Sequence, residues 1–147
     1  MSRPNRESRS RYAHFLTMTT RWMDNDVYRH VNNVVYYSFF DTAVNEYMLR
    51  SGVLDLDASA TVSLVAETGC TYFSPISFPD LVHCGLRVAH LGSSSVRYEI
   101  GIFRNDEAQA SAQGYFVHVC CDRATHAPVA MPPKLRSALE RLRLPPA

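Results

Sequence analysis

Apolar and polar residues alternate along much of this chain, and one segment breaks that rhythm with a helical period. Leu16, Met18 and Trp22 sit among polar neighbours and predict one face of a first strand. From Asn33 to about Arg50 the period becomes helical, with Val34, Val35, Tyr37, Phe39, Phe40, Ala43, Val44, Tyr47 and Met48 covering most of the circumference. Only Ser38, Asp41, Thr42 and Asn45 form a narrow polar stripe. A helix apolar nearly all round must be wrapped by other structure rather than laid on a surface. Ser51-Gly52 supplies its stop signal.

Beyond the helix the pattern is β. Val62, Leu64 and Ala66 alternate, in a strand that can run toward Phe73 before Ser74-Pro75 interrupts it. Val82, Cys84, Leu86 and Val88 form a second set, and Val96, Tyr98, Ile100 and Ile102 a third, with Gly92 to Ser95 as the turn between them. Asn105-Asp106-Glu107 turns the chain into a long last strand from about Ala108 to Asp122. Short connections of this kind predict antiparallel hairpins. Pro132-Pro133 then introduces a short amphipathic helix, Lys134 to Arg143, with Leu135, Leu139 and Leu142 on one side. The expected fold is α+β: a long central helix wrapped by a curved antiparallel sheet of about five strands. Such a sheet keeps an exposed edge, which predicts self-association.

Composition narrows the function classes. With 147 residues, 46% apolar and 20% charged, the chain fits one folded domain, read as residues 14–147. A formal net charge of +1 produces no field that would select nucleic acid or a membrane surface. Residues 1–13 carry Arg3, Arg6, Arg9 and Arg11 with no apolar stretch behind them, so they read as a mobile, solvated tail rather than a signal peptide. No run approaches the length of a membrane span, and a cytoplasmic location is the expectation. Cys70, Cys84, Cys120 and Cys121 form no C-x-x-C pair and read as reduced, small apolar residues. His118 and Cys120 share a strand face, but two ligands do not make a metal site, and no metal or other cofactor is expected.

The chemistry gathers just ahead of the central helix. Asp24, Asp26 and His30 precede Asn32, the natural N-cap, and Asn33. Unsatisfied N–H groups at a helix start can hold a developing oxyanion, and a nearby carboxylate can serve as general base or nucleophile. On spacing alone, the same carboxylates fit ordinary capping and dipole roles.

The residues in this stretch are more specific than their spacing. Arg21-Trp22-Met23-Asp24-Asn25-Asp26, followed by His30-Val31-Asn32-Asn33 and Tyr36, resembles the signature of the hot-dog fold acyl-CoA thioesterases, the 4-hydroxybenzoyl-CoA thioesterase-like family. Phe39-Phe40-Asp41, Tyr72-Phe73-Ser74-Pro75, the Leu91 to Ser95 turn and Val117-His118-Val119 extend the likeness over roughly residues 15–142. The resemblance implies that Asp26 is the catalytic carboxylate, that the backbone N–H at about Asn33 completes an oxyanion hole, and that Asp24 shapes the loop. It makes His30 a further catalytic candidate, the alternative being a tie between loop and helix. It also suggests substrate contacts at Asn32, Tyr36, Ser93 and Ser94. Its members are at least dimers, so a homodimer or homotetramer acting on a small-molecule acyl-CoA is implied. Where the family commonly has glycine before the histidine, this chain has Arg29, a side chain that bears on loop shape and acyl size. Two other activities fit the same fold: hydrolysis of acyl-carrier-protein thioesters, and acyl-CoA binding by a non-catalytic sensor.

Overall fold

In the computed structural model, which describes residues 3–144, five strands form one antiparallel sheet around a central helix. In chain order these are β1 (His14–Thr19), α1 (Val35–Arg50), β2 (Thr61–Tyr72), β3 (Leu81–Leu91), β4 (Ser95–Arg104), β5 (Ala112–Asp122) and α2 (Pro133–Glu140). The strands lie in the order β1-β3-β4-β5-β2, so β1 and β2 are the edges. This is the hot-dog arrangement.

Alternation places the core. Val82, Cys84, Leu86 and Val88 of β3 point to the same buried face as Val96, Tyr98, Ile100 and Ile102 of β4. Against that face α1 buries Tyr36, Phe39, Phe40, Ala43, Val44, Tyr47 and Met48. Its polar stripe turns back on the helix: the Ser38 hydroxyl donates to the Val35 carbonyl, Thr42 to that of Ser38, and the Asn45 amide to that of Asp41. Leu135, Leu139 and Leu142 anchor α2 and the turn after it in the same core, as their spacing predicts.

Four expectations need correction. Trp22 does not extend the first strand; it lies in a 3-10 turn, Trp22–Asp24, and is 80% exposed, because β1 ends at Thr19. The helix opens at Val35 rather than Asn33, after a preceding turn. In β2 the alternation of Val62, Leu64 and Ala66 misplaces the core face. Val62 and Leu64 pair with Cys121 and Val119 on the outer side, and a bulge between Val65 and Glu67 resets the register. Beyond it Cys70 and Tyr72 face inward, opposite Gly114 and Ala112.

The fourth correction concerns the N-terminal segment. Rather than a solvated tail, residues 3–13 run along the outer side of the sheet. Arg6 donates to the Ala110 carbonyl and Arg9 to those of Asn105 and Glu107, while the Glu7 carbonyl accepts from the Ala110 N–H. Tyr12 is buried with Phe103 and Ala110, its ring over a slot made by Gly85 and Gly101. A Cβ on either glycine would sit 2.7 or 2.6 Å from that ring, closer than van der Waals contact allows. The Arg87 guanidinium covers the other side of the ring at 4.7 Å. The arginines that looked like a mobile charge cluster are spent on backbone carbonyls.

Candidate active site

The loop between β1 and α1 is short, polar and tightly laced. Asp24 is 2% exposed, yet its carboxylate is fully engaged: Oδ2 accepts from the Arg21 backbone N–H at 2.8 Å, and Oδ1 from Arg21 Nε and Nη2 at 3.0 and 2.8 Å. Its carbonyl accepts from the Asn32 N–H at 2.9 Å, which closes the loop onto the helix start. Asp24 therefore builds the loop, as its position in the motif implies.

Asp26 has a different environment. Its Oδ1 accepts from the Tyr28 N–H at 2.9 Å, a local turn that fixes the side chain, and no described residue donates to Oδ2. Its backbone N–H donates to the His30 carbonyl at 2.9 Å, so the two candidate catalytic residues are coupled through the main chain. Between them Arg29 takes φ = 65°, in the left-handed region that glycine enters without penalty. The physical reason for a glycine at this point of the motif is thus a backbone demand, which Arg29 meets under strain.

A second wall holds the loop from outside. The Val31 N–H donates to the Ile76 carbonyl at 2.7 Å, the Ser77 hydroxyl to the Arg29 carbonyl at 2.8 Å, and the Phe78 N–H to Asn25 Oδ1 at 3.1 Å. Asp80 secures that wall by accepting from the Ser77 N–H, Asn105 and Arg104.

Asn32 is not the N-cap: that position is Val34, with no side-chain cap, and Asn32 Oδ1 instead accepts from the Val34 N–H at 3.1 Å in the turn ahead of the helix. The Asn33 N–H finds no acceptor among the described residues, while the Asn33 carbonyl accepts from the Tyr72 hydroxyl at 2.8 Å. Next to it lies a cavity of about 280 Å³ lined by His30, Asn33, Tyr36, Tyr72 and the Phe73–Pro75 stretch. The Tyr36 and Tyr72 rings meet edge to face there, with centroids 5.0 Å apart. Burial pushes the Tyr36 phenol up to about 12 and the Cys70 thiol to about 11, so both stay protonated at neutral pH. Neither competes with Asp26 as a base.

His30, Asn33 and Tyr36 therefore line one cavity, with Asp26 joined to it through its N–H bond to the His30 carbonyl and Asn32 through the turn ahead of α1. Ser93 and Ser94 do not join them within one chain. They sit at the far end of β3, about 33 Å of strand from Leu81, where their carbonyls accept from the N–H groups of Met131 and Cys120. Arg87, Arg97 and Arg123, which could have met phosphates, are engaged with Glu99, with the Tyr115 ring and with the carbonyls of Ser59 and Leu56. Among the described residues no cluster of three or more His, Cys, Asp or Glu side chains could hold a metal ion. Tyr72 is the site residue that sequence reading passed over as a strand end.

Residues 20–139 match the model of the thioesterase-like superfamily. The fold superposes on the crystal structure of the PA5185 protein from Pseudomonas aeruginosa strain PAO1 with a TM-score of 0.92 and 49% identity, covering 95% of this chain and 97% of that one. It is also similar to a DHNA-CoA thioesterase from Staphylococcus aureus, with a TM-score of 0.78, 19% identity and coverage of 86% and 88%. A 1,4-dihydroxy-2-naphthoyl-CoA thioesterase from Synechocystis gives a TM-score of 0.78 at 15% identity, covering 85% of this chain and 93% of its own. No curated protein matches the chain.

Proposed function

The chain belongs to the thioesterase-like superfamily, and from that premise we propose that it hydrolyses acyl-CoA thioesters, with Asp26 as the catalytic carboxylate. The observation that supports this reading is a half-buried carboxylate with one oxygen unengaged, tied through the His30 carbonyl to a cavity that carries the unpartnered Asn33 N–H just ahead of α1. Thioester hydrolysis needs little more. In one course Asp26 takes a proton from a water that adds to the carbonyl carbon, and the proton passes on to the thiolate as the carbon–sulfur bond breaks. In the other Asp26 itself adds, CoA leaves, and water hydrolyses the resulting mixed anhydride to the free acid. In both the carbonyl oxygen takes up negative charge. The Asn33 N–H and the partial positive charge of the helix start stabilise the oxyanion. His30, exposed at the cavity rim, is placed to orient substrate or water. Asn32 acts through the turn it closes ahead of the helix, and Tyr36 lines the acyl entrance.

The protein works as a homo-oligomer in this reading. β2 leaves one long edge of the sheet unpaired, with Leu64 and Val65 exposed, and Val34 and Leu49 of α1 are uncovered in the single chain. Pairing β2 edges in a second copy would cover them, and would bring a partner's Ser93-Ser94 turn within reach of a CoA held at the interface. Four unpaired cysteines suit a reducing compartment such as the cytoplasm. No helix among the described residues is long and apolar enough to cross a membrane.

The test is thiol release from acyl-CoAs, benzoyl to palmitoyl, by the wild type and by Asp26→Asn. Release by the wild type and a loss of about a hundredfold or more in the variant are expected. Equal turnover by both would overturn the assignment of Asp26. Tight binding without release would shift the reading to a sensor, or to a carrier-protein thioester as substrate.

A further inference from the structure

The reading above uses nothing on the far half of α1, yet a buried histidine there has no assigned role. His118 on β5 is 5% exposed and held between the rings of Tyr98 and Phe116, with centroids 5.2 and 4.7 Å away. Neither Nδ1 nor Nε2 has a hydrogen-bond partner among the described residues. A buried polar group left unpaired is costly, so its retention calls for a partner outside the fold. The ring lines a cavity of about 250 Å³ together with Asp41, Asn45 and Met48 of α1 and Val65 of β2.

This cavity and the one at the helix start are each walled by α1 and β2, at Asp41, Val44 and Met48 with Val65 in the first and at Tyr36 with Tyr72 in the second. Asp41 lies about 9 Å along the helix axis from Val35, the first residue of α1. A single-ring acyl group held at Asn33 is too short to span that distance, whereas a medium aliphatic chain reaches it. Val44, Met48, Leu54 and Val65 supply aliphatic walls.

We propose that His118 and Asp41 form the distal end of the acyl channel and select aliphatic acyl chains that carry a neutral hydroxyl. The inference rests on the acyl-CoA reading given above. Burial pushes the imidazole's pKa down, against the opposing pull of the Asp41 carboxylate, so the ring is neutral at physiological pH. A neutral imidazole offers one donor and one acceptor, and a hydroxyl complements both. A chain ending in a carboxylate would meet the charge of Asp41 and be rejected.

The experiment compares binding of two non-hydrolysable thioether analogues, of decanoyl-CoA and of ω-hydroxydecanoyl-CoA, to the wild type and to His118→Phe. It is paired with kcat/KM on the corresponding esters and with the imidazole 15N shifts of His118. The wild type should prefer the hydroxylated analogue by about tenfold, the worth of one buried hydrogen bond. His118→Phe, which keeps the ring between Tyr98 and Phe116, should bring that ratio near one, and His118→Gln should restore part of it. Only the hydroxylated ligand should move the 15N shifts. Equal affinity of the wild type for both analogues, or a ratio indifferent to His118→Phe, would overturn the proposal. So would 15N shifts that follow protein concentration alone, since His118 would then find its partner in a second copy of the chain. The binding arm needs no turnover. A protein that hydrolyses no ester would sink the thioesterase reading, while the polar subsite would still be judged on affinity.

Discussion

The Tyr72 hydroxyl donates to the Asn33 carbonyl across 2.8 Å, tying the last residue of an edge strand to the turn that leads into α1. The bond links β2 to the proposed oxyanion site by holding the Asn33–Val34 peptide, next to the one that carries the Asn33 N–H. Tyr72→Phe keeps the ring against Tyr36 and removes only this tie. Stability should fall by about 1 kcal/mol or less. Turnover should fall with little change in KM, by less than the hundredfold or more lost when an oxyanion donor is removed outright. Steady-state kinetics alongside thermal melts check this, and an unchanged kcat would disconnect Tyr72 from the site.

Asp24 and Asp26 are two residues apart and should fail in opposite ways. Asp24→Asn places an amide where three N–H donors converge, and should cost about 2 kcal/mol of stability. Asp26→Asn should leave the urea midpoint almost where it was while abolishing turnover. Denaturation and activity measured on both variants separate the roles; a well-folded but inactive Asp24→Asn would contradict the scaffold assignment.

Arg29 at φ = 65° carries strain that glycine would not. Arg29→Gly should therefore be neutral or stabilising by up to about 1 kcal/mol, the lost strain being partly offset by greater freedom in the unfolded chain. Arg29→Val adds β-branching at the same φ and should destabilise by about 1 to 2 kcal/mol. Calorimetric Tm values should rank the series Gly, Arg, Val; a Val variant as stable as the wild type would mean the loop relaxes.

How much of this was legible in the chain depends on the range of the contacts. The central helix, the strands and the loop carrying Asp24, Asp26 and His30 follow from period and local motif, which short-range sterics and capping control. The outward turn of Val62 and Leu64 did not follow, because the bulge at Ala66 puts them on the opposite face from Cys70 and Tyr72 although all four share one parity. The docking of residues 3–13 did not either, since Arg6 and Ala110 are 104 residues apart and no spacing relates them. His118 and Asp41 meet across a groove for the same reason, each looking unremarkable in its own element.

Asp80 links stability to pH. Burial pushes its carboxyl up, but the Ser77 N–H, the Asn105 amide and the Arg104 guanidinium outweigh that and hold it below the usual carboxylate range. A depressed folded pKa contributes stability above the unfolded value of about 3.9 and loses it as pH falls through the folded one. Asp80→Asn should therefore lower the urea midpoint clearly at pH 7 and much less near pH 2. A gap of the same size at both would show that the carboxylate's charge is not what holds the wall of the Asp26 loop.

Gly114 is where the Phe40 ring of α1 packs directly onto β5. A Cβ there would lie 2.3 Å from the Phe40 ring and 2.9 Å from the Gly69 carbonyl oxygen, and the second neighbour is backbone that cannot swing aside. Gly114→Ala should cost about 1 to 3 kcal/mol, read as a lower Tm. An unchanged Tm would mean that the helix can ride higher on the sheet.

The N-terminal segment also sets a timetable for the chain as it is made. Arg9 finds its acceptors at Asn105 and Glu107, Arg6 completes its pair at Ala110 after Ser74, and the Glu7 N–H finds its own in Gln113. At ordinary synthesis rates those partners leave the ribosome about 5 to 20 s after the first residues. Until then Tyr12 has only half of its glycine slot, and the outer face around Phe103 stays bare. The nascent protein therefore carries its own unfinished seam for most of translation, and a chain stalled before β5 would expose that seam to whatever else is folding nearby.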